Sequence, residues 1–200
     1  MSKRLGVFGG TFDPPHLGHL ILASESRWQL RLDWVLWVLT PRPPHKSDQA
    51  ITDLGHRIEM VRLAIADNPW FELSTIEFDR PPPQYTVDTL VALRQQYPGA
   101  QLVLLMGSDS LRSLVTWHRP ADLVAECDEI GVMRRPGETV LLSPMEAVLP
   151  GITDKVRFID APLLQIASKE IRRRVAQGLE FRYFLLPAVY NYVLQHNLYR

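Results

Sequence analysis

The stretch Lys3-Arg4-Leu5-Gly6-Val7-Phe8-Gly9-Gly10-Thr11-Phe12-Asp13-Pro14-Pro15-His16-Leu17-Gly18-His19 decides the fold. Leu5 to Phe8 form an apolar run with the length of a buried strand, and the run breaks at Gly9-Gly10. Beyond the break, Leu17, Leu20, Ile21 and Trp28 recur at helical spacing and supply one buried face, with Ser24 the single polar position in that stripe. A strand that opens a helix through a glycine turn leaves unpaired backbone N–H groups and the positive end of a helix dipole aimed at one spot. That spot favours an anion, and phosphate is the anion expected. The glycines let a ligand approach the backbone, and His16 and His19, three residues apart at the helix start, project toward the same region as donors. Neither GxGxxG nor the GxxxxGKS/T loop is present, so the site is of another kind.

Working outward, Trp34-Val35-Leu36-Trp37-Val38-Leu39 is apolar on both alternating faces, as a central parallel strand covered on each side must be. A right-handed crossover brings the following loop, with Arg42, His45 and Lys46, to the same carboxyl edge as the glycine turn. Thr52 or Asp53 caps a helix running to about Asn68, with Leu54, Ile58, Val61 and Ile65 inward and Arg57 and Arg62 expected in solvent, although Arg57, in the first turns, is also placed to face the site. Strands follow near 71–76, 101–106, 129–133 and 156–159, and a helix opens at Tyr85-Thr86. Gly107-Ser108-Asp109 is a second strand-to-glycine turn, and two such turns side by side form a crevice where the strand order of an open parallel sheet reverses. Asp109 there suits ribose hydroxyls or a helix cap, and Trp117, set among polar residues before Pro120, is placed to stack on a flat ring. Arg134 leaves the end of a strand, where a guanidinium stacks on adenine or pairs with phosphate. Ser168 caps a late helix with Ile171 and Val175 inward, and Pro187 starts a last helix packed through Val189, Tyr192, Val193 and Leu194.

Two hundred residues, 46% of them hydrophobic, suit one domain over residues 1–200 with a full core. Twenty-two basic and twenty-two acidic residues cancel, so the bulk charge points to neither nucleic acid nor a membrane surface, and any anion site is local. Cys127 is the only cysteine, which excludes an intramolecular disulfide and a cysteine metal cluster and suits a reducing cytoplasm. The N-terminus enters a strand without a cleavable signal, and no apolar run approaches the roughly 18 residues of a membrane span.

The string GGTFDPPHLGH contains the HxGH signature of the nucleotidylyltransferase superfamily and resembles that of the bacterial nicotinate-mononucleotide adenylyltransferases. Three more stretches carry the resemblance: PPHK at Pro43–Lys46, Gly107-Ser108-Asp109 as a GxD turn, and Ile166 to Arg172 as the second signature, ISSTxIR. The last matches at Ile166, Ser168, Ile171 and Arg172 and departs at Ala167 and Lys169, which leaves two hydroxyl roles without their usual side chains.

The resemblance implies an α/β fold, a Rossmann-like three-layer sandwich with a parallel central sheet, and transfer of AMP from ATP to nicotinate mononucleotide, giving deamido-NAD and pyrophosphate in NAD synthesis. It implies that His16, His19, Lys46 and Arg172 are catalytic. It places Gly9, Gly10, Thr11, Phe12, Gly107, Ser108, Asp109 and Ser168 with them on ATP. It assigns His45, Lys46, Tyr85, Thr86, Asp109, Trp117 and Arg134 to the mononucleotide, with the N–H groups at Thr86 for the nicotinate carboxylate and Trp117 for the pyridine ring. Magnesium is expected on the ATP phosphates and in water rather than in a protein cage. The implied partners are ATP and nicotinate mononucleotide, with no oligomeric state specified. Phosphopantetheine adenylyltransferase and a non-catalytic nucleotide sensor are the alternatives; acceptor choice separates the first, and pyrophosphate release the second.

Overall fold

The structure, a computed structural model, describes residues 2–42, 50–134, 141–162 and 164–200. Six parallel strands form one sheet: β1 (Arg4–Gly10), β2 (Trp34–Leu39), β3 (Phe71–Ser74), β4 (Gln101–Gly107), β5 (Glu129–Met133) and β6 (Val156–Ile159), ordered β3-β2-β1-β4-β5-β6. The nine α-helices among the described residues are α1 (Leu17–Gln29), α2 (Leu54–Ile65), α3 (Thr86–Gln96), α4 (Ser108–Ser113), α5 (Pro120–Glu126), α6 (Ser143–Glu146), α7 (Ile152–Lys155), α8 (Ser168–Ala176) and α9 (Pro187–Gln195). This is the expected Rossmann-like sandwich. The chain runs outward from β1 to β3, returns to β4 beside β1, and runs outward again, so the order reverses between β1 and β4.

Successive side chains on a strand face opposite ways, and the core divides accordingly. Val7, Leu36, Val38, Leu104 and Met106 join one buried cluster with Val87, Leu90 and Leu93 of α3. Phe8, Trp37, Leu39, Val103 and Leu105 join the other, with Leu22 and Ala23 of α1, Met60 and Val61 of α2, Ile171 of α8 and Val189 of α9. β2 is apolar throughout because each face has its own layer of helices to meet.

Local details depart from the expectations. β1 continues through Gly10, which pairs with Leu39, and the chain turns later, at Phe12 (φ 46°) and a cis Asp13–Pro14 bond. The Phe12 ring then folds back over Gly10, where a Cβ would lie 2.8 Å from it, so position 10 has no room for a side chain. The buried residues of α1 are Leu22, Ala23 and Ser26, whereas Trp28 is 78% exposed: the apolar stripe ran along the wrong face. Ser26 is tolerated inside because its hydroxyl donates to the Leu22 carbonyl at 2.6 Å. Val189 and Val193 of α9 are buried, but Leu194 is 37% exposed. Cys127 is buried, and desolvation pushes its thiol up to about 12, so it is held as an unreactive apolar group.

Candidate functional site

At the point of strand reversal, two clefts open along the carboxyl ends of β1 and β4. One is lined by His16, Gly18, His19, Gly107, Asp109, Arg134, Ser168, Lys169 and Arg172. The other is lined by Gly10, Thr11, Thr40, Glu77, Tyr85, Thr86, Trp117 and His118. Gly9 and Leu105 line both, so the two spaces adjoin at these residues. An added Cβ at Gly9 would find nothing within 4 Å and would stand in open space.

The histidines of the first cleft are fixed from behind. His16 is the N-cap of α1, and its backbone N–H donates to His19 Nδ1 at 3.1 Å. With Nδ1 accepting, the neutral imidazole of His19 carries its proton on Nε2 and is a donor there. The two rings stack at 3.7 Å, and Phe12 meets His19 edge-on at 5.2 Å, so an aromatic wall sets the ring's direction. Capping and candidate ligand roles, alternatives in the sequence, thus belong to the same residues. Phe12 is the departure: its ring is 2% exposed, turned into the core against Phe8 and Trp37, and lines neither cleft. Ser108 is fully buried at the start of α4 and likewise lines neither.

The second signature reaches the first across the chain. Ser168 does not cap α8, whose N-cap is Ala167; its hydroxyl donates instead to the Pro14 carbonyl at 2.9 Å. Arg172 donates through Nη1 to the Asp13 carbonyl at 2.7 Å, and the same nitrogen lies 3.9 Å from Asp13 Oδ2. Both side chains therefore hold the cis Asp13–Pro14 turn while lining the cleft, and Lys169 lines it where the second signature has a threonine. Arg134 lines this cleft with the histidines, away from Tyr85, Thr86 and Trp117, and its guanidinium covers the Phe158 ring at 4.4 Å. Asp109 lines the first cleft only.

In the second cleft Tyr85 and Thr86 open α3, and the Tyr85 ring stacks on His118 at 3.9 Å and 22°. Trp117 lines the cleft with its indole N–H 3.3 Å from Ser113 Oγ. His45 and Lys46 lie outside the described residues.

Sequence reasoning missed three groups. Asp13 is 3% exposed; its carboxylate accepts from Thr52 N at 3.2 Å and from the Tyr199 hydroxyl at 2.7 Å. Glu77 is 4% exposed in the wall of the second cleft, and Arg80 Nη2 donates to Thr89 Oγ1, which donates to Glu77 Oε1, each at 2.5 Å. Burial pushes the Glu77 carboxyl up despite the Thr89 and Thr40 hydroxyls and the Arg80 charge, which act the other way. Arg57, expected in solvent, is 2% exposed, and its guanidinium donates to the carbonyls of Thr11, Thr40, Pro41 and Thr52. The place of Arg57 in the first turns of its helix was the one local signal among the three.

Among the described residues no three His, Cys, Asp or Glu side chains gather as a metal site, and Asp109 is the sole carboxylate lining the first cleft. Against five basic or imidazole side chains on that wall, the donor set fits a polyanion that brings its own divalent ion. No helix among the described residues is long and apolar enough to cross a membrane.

Residues 7–174 match the cytidylyltransferase-like family. A probable nicotinate-nucleotide adenylyltransferase of Thermomicrobium roseum is 47% identical over 198 residues, covering 99% of this chain and 92% of that protein. One of Bacillus pumilus is 40% identical over 98% of each chain. Among solved structures, Plasmodium falciparum nicotinic acid mononucleotide adenylyltransferase complexed with NaAD superimposes with a TM-score of 0.81 at 21% identity, over 98% of this chain and 97% of that one.

Proposed function

Because the chain belongs to the cytidylyltransferase-like family, and within it to the nicotinate-nucleotide adenylyltransferases, we infer that it transfers AMP from ATP to nicotinate mononucleotide, releasing pyrophosphate and forming deamido-NAD. The observation that carries the reading is the meeting of two differently built clefts at Gly9 and Leu105. A basic cleft suits a triphosphate, a cleft with helix N–H groups and aromatic rings suits a pyridine nucleotide, and transfer between them needs only that their phosphates meet.

The 5′-phosphate oxygen of the mononucleotide attacks the α-phosphorus of ATP in line. The new P–O bond forms as the bond to the β-phosphate oxygen breaks, and pyrophosphate leaves with the electron pair. No enzyme nucleophile is required, so catalysis is positioning and charge stabilisation. His16, His19, Lys46, Ser168 and Arg172 hold the triphosphate, and the Nε2 proton of His19 is a donor for charge that develops on the departing group. Gly9, Gly107 and Asp109 complete the ATP's surroundings, with Phe12 and Ser108 acting from behind through the backbone, whereas Gly10 and Thr11, which line the second cleft, face the acceptor. Tyr85, Thr86 and Trp117 receive the pyridine, the first N–H groups of α3 facing its carboxylate, and His45 is assigned to the mononucleotide phosphate, whereas Arg134, set in the basic cleft, is assigned to ATP. Magnesium bound to ATP neutralises phosphate charge when present; the protein's part is to orient the nucleotide that carries it.

The test is pyrophosphate release by purified protein given ATP, magnesium and one acceptor at a time: nicotinate mononucleotide, nicotinamide mononucleotide or phosphopantetheine. Turnover with nicotinate mononucleotide above the other two is expected. Preference for phosphopantetheine, or nucleotide binding without pyrophosphate, overturns the reading.

A further inference from the structure

Arg57 is a buried cation on which the proposed reaction places no demand. It lies in the first turns of α2, is 2% exposed, and has four of its donor contacts satisfied by backbone oxygens: Nε to Thr52 at 2.9 Å, Nη1 to Thr40 at 2.8 Å and to Thr11 at 3.1 Å, and Nη2 to Pro41 at 2.8 Å. Its direct partners are carbonyls rather than a carboxylate. Desolvation acts against the charge, and Asp13 is the foremost of the groups that support it. With its donors turned to backbone oxygens and almost no surface, the guanidinium has no route to a substrate.

Those carbonyls come from three separate pieces of chain. Thr11 follows the glycine pair of β1, Thr40 and Pro41 follow β2, and Thr52 precedes α2. Thr11 and Thr40 both line the cleft assigned to the acceptor, together with Gly10, and the Thr40 N–H donates to the Gly10 carbonyl at 2.9 Å. None of the four residues lines the cleft with His16 and His19. A planar fork with fixed angles is the side chain that can hold several carbonyls at set separations, and a lysine ammonium on a flexible stem cannot span them.

We propose that Arg57 is a positioning residue for the acceptor: it fixes the separation between the end of β1 and the exit of β2, and so governs affinity for the mononucleotide rather than for ATP. The proposal rests on the acceptor reading given above. It is tested by steady-state kinetics of wild type, Arg57→Lys and Arg57→Met with each substrate varied in turn, alongside thermal melts. Arg57→Lys is expected to raise KM for nicotinate mononucleotide at least about tenfold while KM for ATP stays within about threefold, the signature of lost acceptor binding; Arg57→Met, where it folds, shows a larger rise. A residue that merely supports the fold would lower kcat with both KM values unchanged, and that result overturns the proposal. So do equal rises in both KM values, an Arg57→Lys protein with wild-type kinetics, or one that does not fold. An inactive wild type counts against the functional reading itself, and takes the proposal with it, whereas an active wild type with an unaltered Arg57→Lys counts against Arg57 alone.

Discussion

Replacing Tyr199 by phenylalanine removes a single oxygen from the part-buried contact between the C-terminal segment and the turn after β1. That oxygen donates to Asp13 Oδ1 at 2.7 Å and lies 3.7 Å from Met60 Sδ. A hydrogen bond to a charged group contributes about 1.5–3 kcal/mol, and the ring that remains keeps its packing, so Tyr199→Phe is expected to lose an amount in that range. In a chain of this size each kcal/mol moves the midpoint by about 2–4 °C, which gives a fall of roughly 3–12 °C in a thermal melt. A double-mutant cycle with Asp13→Asn isolates the pair, because the Tyr199 deletion is expected to cost much less once the carboxylate is gone. Linkage supplies a second reading. Burial, and after it the Asp13 charge, raise the Tyr199 phenol above its usual value, so above pH of about 10 the unfolded chain gives up this proton while the folded one keeps it. The folded state then binds more protons, and stability falls as pH rises. Tyr199→Phe lacks that part of the slope; the contribution of Cys127 is common to both proteins and cancels. A midpoint within 1 °C of wild type, with identical slopes above pH 10, would refute the reasoning.

Further outcomes follow from the site. His19→Ala is expected to lower kcat by roughly 10²-fold or more, as loss of one preorganised donor does, with the melt little changed; normal turnover removes His19 from the chemistry. Trp117→Ala is expected to raise KM for nicotinate mononucleotide through lost ring contact, and an unchanged KM rejects stacking. Gly9→Ala is expected to fold normally, since nothing lies within 4 Å of the new methyl, yet to weaken binding of both nucleotides in equilibrium titrations. Cys127, its thiol raised to about 12 by burial, is expected to resist a thiol reagent at pH 8 in the folded protein and to react fully in denaturant.

The sheet was legible because its evidence is local. Trp34 to Leu39 can be apolar on both faces only if both faces are covered, and Gly107-Ser108-Asp109 announces a strand end wherever it lies in space. The stripe through Trp28 failed because a helical period identifies a set of apolar residues without saying which face meets the sheet; Ser26, polar and buried, was hidden by its bond to the Leu22 carbonyl. Arg57, Asp13 and Ser168 were illegible for one common reason. Their partners lie up to 186 residues along the chain, as with Tyr199 and the Asp13 carboxylate, and several are backbone oxygens, which every residue possesses and no motif records.

Gly9 and Leu105 being common ground to both clefts has a consequence for inhibitors. Two weak fragments, one in each space, can be joined by a bridge only a few atoms long, after which the second contact is made at an effective concentration in the millimolar range or above. The dinucleotide the reaction leaves behind is itself such a tethered pair, so it departs only when both halves let go together.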